Sequence, residues 1–351
     1  MSTVPDRPAP EPSLPAGESW VDRWGRRLGG GWIFLLLLGM IVLFTALKPD
    51  QFATTFNLTT LTVDAAILLV LAVGQTFVIA TAGIDLSVGS VLVCASVVSA
   101  KVMVLLSGAA GSTYGTTSGG WPVVLAGFAS AIAVGVAFGL LNGVLIARAR
   151  IPALIVTLGT LGIALGLAQI ISGGQDVRAV PELLVNQIGA GAFLGIPILV
   201  CISVLVTVVA GLMLHFTRFG GWTFAIGSNQ EASRRAGVSV RAQLVKVYVL
   251  AGTLAGLAGI MSTARFSTTT INGHTADNLT TISAVVLGGT SLFGGTGSIV
   301  GTVVGVFIPI ILLNGFVILG IPPFWQTVAI GIVLILAVYI DQLKRRTRDR
   351  A

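Results

Sequence analysis

Charge is scarce in this 351-residue chain, where Asp, Glu, Lys and Arg make up 9 % of the residues. An ordinary soluble domain carries about 25 %. The shortage excludes a soluble globular enzyme and a disordered chain. Lysine occurs four times and never after a glycine, so the Gly-Lys-Ser/Thr ending of a phosphate loop is missing. The two cysteines, Cys94 and Cys201, lie inside apolar runs; they imply no disulfide framework and fit no metal spacing. They read as buried small apolar residues. His215 and His274 stand isolated at segment ends, without a partner at metal-ligand or catalytic spacing. No nucleophile elbow, zinc-helix motif or paired-carboxylate constellation is present.

What is abundant is apolar. Hydrophobic residues make up 54 % of the chain and the mean hydropathy is +0.97. A spanning helix uses about 20 apolar residues, and barrel strands alternate apolar and polar over about 10. Here the runs are continuous and long, so the expectation is an all-α polytopic membrane protein. Ten segments stand out, at 32–47, 61–82, 86–106, 121–147, 151–172, 193–216, 244–264, 279–293, 299–319 and 326–340. The eighth is short enough to be a re-entrant piece or a tilted half-span. Residues 1–31 hold five of the 13 prolines and mixed charge, which predicts a flexible tail. Residues 32–343 form the membrane domain, and 344–351 a basic tail.

The net charge of +7 does not point to nucleic acid, because Lys and Arg fall in the gaps between apolar runs. With the N-terminus inside and ten spans alternating, sixteen basic residues face the cytoplasm and only Lys48, Lys101, Arg178 and Arg265 face outward. This asymmetry predicts that both termini are cytoplasmic. Outer residues 107–120 carry no charge and five glycines, as suits a mobile loop. In the outer loop 173–192, Val180-Pro181-Glu182 predicts a short interfacial helix.

The longest inner connection is 217–243. Within it, Ser228-Asn229-Gln230-Glu231 has the capping-box pattern, with Ser228 as cap and Glu231 reaching back. Gly237 suits a left-handed end. So short a helix needs a surface to dock on. Glycines four apart, at Gly135, Gly139 and Gly143, at Gly252 and Gly256, and at Gly301 and Gly305, predict close helix packing. The dense glycine stretch 288–297 reads as a tight turn between helices. Gly83-Ile84-Asp85-Leu86-Ser87-Val88-Gly89-Ser90 interrupts two apolar runs. An acid at membrane depth is a functional candidate; as a simpler reading, Asp85 or Ser87 caps the next helix. Asp64 reads as a water-facing residue at the end of its span.

The segment 74–93, with Gly-Ile-Asp-Leu-Ser-Val-Gly-Ser at 83–90, resembles the inner-membrane permease subunits of bacterial ATP-binding-cassette sugar importers, in the ribose, xylose and galactose branch. Three further stretches agree: Gly143 to Gly159, with Ile151-Pro152-Ala153 and Thr157-Leu158-Gly159; Ala225-Ile226-Gly227-Ser228-Asn229 to Ala236-Gly237-Val238; and Ala284 to Ser291. The resemblance covers about residues 55 to 342. It implies about ten helices per subunit and a homodimeric or pseudo-dimeric membrane domain, with a second permease copy. It also implies a cytoplasmic ATP-binding subunit, an extracytoplasmic sugar-binding protein and contact with membrane lipid. The chain itself then performs no bond chemistry and holds no cofactor, the ATP sitting on the partner subunit. The family's coupling helix maps to Ser228, Asn229, Glu231, Arg234, Arg235 and Gly237. Polar residues within spans, namely Gln75, Asp85, Ser87, Asn142, Thr157 and Asn314, are candidates for the translocation path; each has a second reading as a helix-to-helix hydrogen bond. The expected place is a bacterial inner membrane. The alternatives are a proton- or sodium-coupled secondary transporter, a related permease for nucleosides or branched-chain amino acids, or a membrane scaffold.

Overall fold

The computed structural model describes residues 32–109, 115, 119–274, 276–322 and scattered positions between 324 and 342. The tails at 1–31 and 344–351 lie outside them, as does most of the segment 326–340.

Among the described residues, seven helices are long and apolar enough to cross a bilayer. In chain order the elements are α1 (Trp32–Leu47), α2 (Pro49–Phe52), α3 (Thr55–Ala80), α4 (Val88–Leu106), α5 (Trp121–Ala147), α6 (Ala153–Ser172) and α7 (Glu182–Leu184), which runs into a π-turn at Val185–Gly189. A two-residue hairpin of β1 (Ala192–Phe193) and β2 (Ile196–Pro197) follows. Then come α8 (Ile198–Phe216), α9 (Arg218–Ser228), α10 (Gln230–Arg235), α11 (Val240–Phe266), α12 (Asp277–Leu287) and α13 (Ile299–Ile318). The spanning helices are α3, α4, α5, α6, α8, α11 and α13. Helix α1, at 16 residues, is shorter.

The eighth apolar segment holds a helix of only half-span length. Eleven residues of α12 reach about 16 Å at 1.5 Å per residue, half of a hydrocarbon core of about 30 Å. The interfacial helix expected after Pro181 is reduced to one α-turn and one π-turn.

Helix α3 is the axis of the bundle. Thr54 Oγ1 caps it by accepting from the Asn57 N–H at 3.2 Å, and its sequence is apolar on every side, as befits a helix surrounded by others. It packs against α8, α11, α12 and α13. Helices α6 and α8 lie at the periphery, with Leu154, Ile155, Ile163, Ile170, Leu205 and Val208 exposed. In water such faces would aggregate; in a bilayer they meet lipid.

The glycine spacing has the packing role expected of it. A Cβ on Gly139 would collide with the Tyr248 carbonyl and come within 2.8 Å of Val249 Cα. One on Gly252 would strike the Gly135 carbonyl and lie 2.8 Å from Gly139 Cα. Helices α5 and α11 thus meet backbone to backbone, as small residues allow. Gly301 and Gly305 do the same on α13, against the Gly288 and Ala284 carbonyls of α12.

The inner connection is more ordered than a loop. Its first part is α9, anchored by Gln243, whose Nε2 donates to the Phe219 carbonyl at 2.9 Å and to Thr223 Oγ1 at 3.0 Å. Phe219 also rests on Phe77 of α3, with ring centroids 5.8 Å apart.

Candidate functional site

Two places gather the polar residues that the sequence marks out. The first is a buried cluster where α3 ends and α4 begins. The chain turns at Thr81–Gly83, with Ala82 at φ 62°. Asp85 Oδ1 then accepts from the Ser87 N–H at 2.8 Å and from the Ser87 hydroxyl at 2.6 Å. Asn142 Nδ2 of α5 donates to Ser87 Oγ at 3.0 Å. From α6, Thr157 Oγ1 donates to the Ile84 carbonyl at 3.3 Å. The tyrosine of α11 closes the site: a Cβ on Gly83 would lie 2.7 Å from Tyr248 Oη. Asp85 is 2 % exposed, Ser87 and Asn142 1 %, and Thr157 and Tyr248 0 %.

Asp85 is therefore bound to its own segment, and its acceptor fixes the turn that opens α4. Neither Asp85 nor Ser87 makes a side-chain bond to a later amide of the helix; the Asp85 carboxylate, three residues upstream of the first helical position, holds the turn before it. The site retains unused capacity, since Asn142 Oδ1 and Tyr248 Oη have no partner among the described residues.

Two of the six polar candidates stand apart. Gln75 of α3 is fully buried, and neither its amide oxygen nor its nitrogen is partnered. Asn314 of α13 pairs with Asn57 at the start of α3: Asn57 Nδ2 donates to Asn314 Oδ1 at 3.1 Å, and Asn314 Nδ2 donates back to Asn57 Oδ1 at 2.8 Å.

The second place is α10. Its cap is Asn229, one residue later than the capping-box pattern suggests. Asn229 Oδ1 accepts from the Ala232 N–H at 2.9 Å, while Ser228 is the last residue of α9. Glu231 consequently sits at the second helical position and cannot reach back to the cap. It pairs instead with Arg234 at 2.6 Å and Arg235 at 3.3 Å. Gly237 ends the helix at φ 85°. Its N–H donates to the Arg234 carbonyl at 3.1 Å, and the Val238 N–H donates to Ser233 at 3.0 Å, the paired bonds of a Schellman end. Asn229, Glu231, Arg234, Arg235 and Gly237 are exposed, and Ser233 is buried beneath them. The helix is a projecting step with a dipolar surface, pre-shaped by its two caps.

Sequence reasoning missed two linkages. His274 is not isolated: its Nε2 shares a 2.7 Å hydrogen bond with Ser262 Oγ of α11, and its Nδ1 a 2.7 Å bond with Asp277 Oδ2. The order Ser–His–Asp is that of a hydrolytic triad, yet Ser262 lies near the end of α11 at 1 % exposure, closed to any substrate carbonyl. The linkage ties the 267–276 connection to α11. Asp64 meets Arg265 at 3.4 Å, both side chains being partly covered, so it is ion-paired rather than simply water-facing. The i,i+3 spacing of His274 and Asp277 was a signal that could have revealed their contact; Ser262 with His274 and Asp64 with Arg265 lie 12 and 201 residues apart, and no local pattern marks them.

The residues of 57–338 match the family model described as branched-chain amino acid transport system / permease component. The chain is 37 % identical over 314 residues to the ribose import permease protein RbsC of Escherichia coli K12, covering 89 % of this chain and 93 % of that one. It is 38 % identical to the RbsC of Bacillus subtilis 168, with 89 % and 92 % covered. It is 35 % identical to the L-arabinose ABC transporter permease protein AraH of Azospirillum brasilense, with 98 % and 97 % covered. No solved structure matches the chain. With its apolar helices, its two backbone-packed glycine seams and these matches along nearly its whole length, the chain belongs to this family of permease components and is a multi-pass inner-membrane transport subunit.

Proposed function

We propose that the chain is the membrane-spanning subunit of an ATP-driven importer for a monosaccharide, received from an extracytoplasmic binding protein. The observation that carries this reading is that the high-coverage relatives are named for sugars, ribose and arabinose among them. The family description also admits branched-chain amino acids; the individual matches favour the sugar. They also count against the secondary transporter. Asp64, one of the two acids that reading relied on, is taken up by Arg265, and Asp85 by Ser87.

In this reading α10 is the coupling helix and a groove on a separate ATPase receives it. The chain alternates between states because the ATPase contacts α10 differently with and without ATP. Both termini and α10 face the cytoplasm, and two permease copies enclose the path. Gln75, Asp85, Ser87, Asn142, Thr157 and Asn314 act within one subunit as the internal scaffold of that path.

Docking is tested by co-purifying the ATPase with permease variants. Glu231→Lys removes both ion pairs of α10 and puts a cation in its first turn, where the macrodipole favours an anion. Gly237→Val forces a β-branched residue to positive φ. Both should insert normally and lose the ATPase. Normal docking and normal uptake for both would mean that α10 is not the coupling element.

A further inference from the structure

The glycine stretch 288–297 closes the α12–α13 hairpin, and its tip is wedged between two other elements. The Gly295 N–H donates to the carbonyl of Ala80, the last residue of α3, at 3.0 Å. A Cβ on Gly294 would lie 2.7 Å from Ala82 N, 2.8 Å from Ala82 Cβ and 2.9 Å from Gly227 Cα. One on Gly227 would strike the Ala80 carbonyl, and one on Gly295 the Ser228 hydroxyl. The end of α3, the end of α9 and the hairpin tip therefore meet through glycine backbone, with the Ala82 methyl and the Ser228 hydroxyl beside it.

The two flanks of this junction are the two places described above. Ser228 is followed at once by Asn229, the cap of α10. Ala82 stands three residues before Asp85 and shares the left-handed conformation of Gly294 and Gly295 (φ 62°, 79° and 78°). Higher up, the hairpin is joined to α3 again by the 2.8 Å hydrogen bond between Thr76 and Thr302. A contact through side chains absorbs a displacement by changing rotamers. A contact of backbone on backbone has no such slack, and close-packed interiors transmit strain.

We infer that Gly294 and Gly295 form the positioning element that carries a displacement of α10 to the Ala80–Ser87 segment, and so sets the Asp85 turn for transport. The inference rests on the reading of α10 as the coupling helix. The hairpin tip moves with the step on one side and with the end of α3 on the other, and the Asp85 turn follows α3.

The test uses the whole transporter, with ATPase and binding protein, in membrane vesicles. Gly294→Ala and Gly227→Ala each place a methyl in the junction. Gly289→Ala is the control: its φ of 90° is equally strained for alanine, but the added Cβ meets nothing within 4 Å. We expect Gly294→Ala and Gly227→Ala to keep the bound ATPase and its hydrolysis while uptake per inserted subunit falls about tenfold, the scale of an overpacked contact. Gly289→Ala should transport as the parent does. Normal uptake by Gly294→Ala, or a loss in Gly289→Ala equal to that in Gly294→Ala, overturns the inference. The reading of α10 fails separately, if Glu231→Lys and Gly237→Val retain both the ATPase and uptake.

Discussion

Asp85 offers the sharpest comparison of a structural against an electrostatic role. Its Oδ1 takes the Ser87 N–H and hydroxyl, and no cation among the described residues is paired with it. Asp85→Asn keeps an acceptor at that position, and Asp85→Ala does not. In the alanine variant the buried Ser87 N–H loses its partner, a cost of about 1–3 kcal/mol. The Ser87 hydroxyl finds a substitute, because Asn142 Oδ1 is unused and its amide group already lies 3.0 Å away. The expected total for Asp85→Ala is therefore about 1–3 kcal/mol. For Asp85→Asn it is under about 1 kcal/mol, the scale of a single hydrogen bond inside a membrane protein. Unfolding in mixed detergent micelles by a denaturing surfactant measures both, and vesicle uptake measures function. The asparagine variant should keep most transport. An asparagine variant as unstable as the alanine one would refute the geometry. A stable, well-inserted Asp85→Asn without uptake would show that the negative charge itself is required.

Three other predictions follow from the packing and the caps. Asn229→Ala should raise the exchange rate of the α10 amides by an amount equivalent to about 0.5–2 kcal/mol, whereas Ser228→Ala should change it by less than about 0.5 kcal/mol; hydrogen exchange on the full chain separates the two. Gly139→Leu drives a side chain into the α11 backbone and should cost about 3 kcal/mol or more. Gly159→Leu on α6 enters open space and should be nearly neutral in the same detergent unfolding assay. A cysteine at Gln175 should react with an impermeant thiol reagent from outside, and one at Ser239 only after the cells are opened; the reverse pattern would invert the topology.

Much of this was legible in sequence because bilayers impose a long, unambiguous signal. Apolar runs mark the spans, and four-residue glycine spacing marks α5 against α11. The half-span α12 stayed open, because a run of 15 apolar and small residues does not say how many of them become helical. Helix α9 was hidden by Gly220 and Gly221, which read as a loop. In the fold, Gly220 presses against the Leu214 carbonyl and Gln243 binds Phe219 and Thr223, so tertiary contacts override low propensity. The cap fell to Asn229 because both Ser228 and Asn229 are good caps, and only the length of α9 decides between them. Ser87 with Asn142, Asn57 with Asn314, and Asp64 with Arg265 are pairs 55, 257 and 201 residues apart. No local pattern encodes such distances.

The central claim is that this chain moves a monosaccharide only in company with an ATPase and a binding protein. The most direct measurement reconstitutes the permease in liposomes and follows labelled ribose and arabinose, with ATP enclosed, while ATPase and binding protein are omitted in turn. The account predicts uptake of at least one of these sugars in the complete system, loss of uptake when either partner or ATP is withheld, and no effect of collapsing proton and sodium gradients. Uptake by the permease alone, driven by an ion gradient and indifferent to ATP, would contradict it.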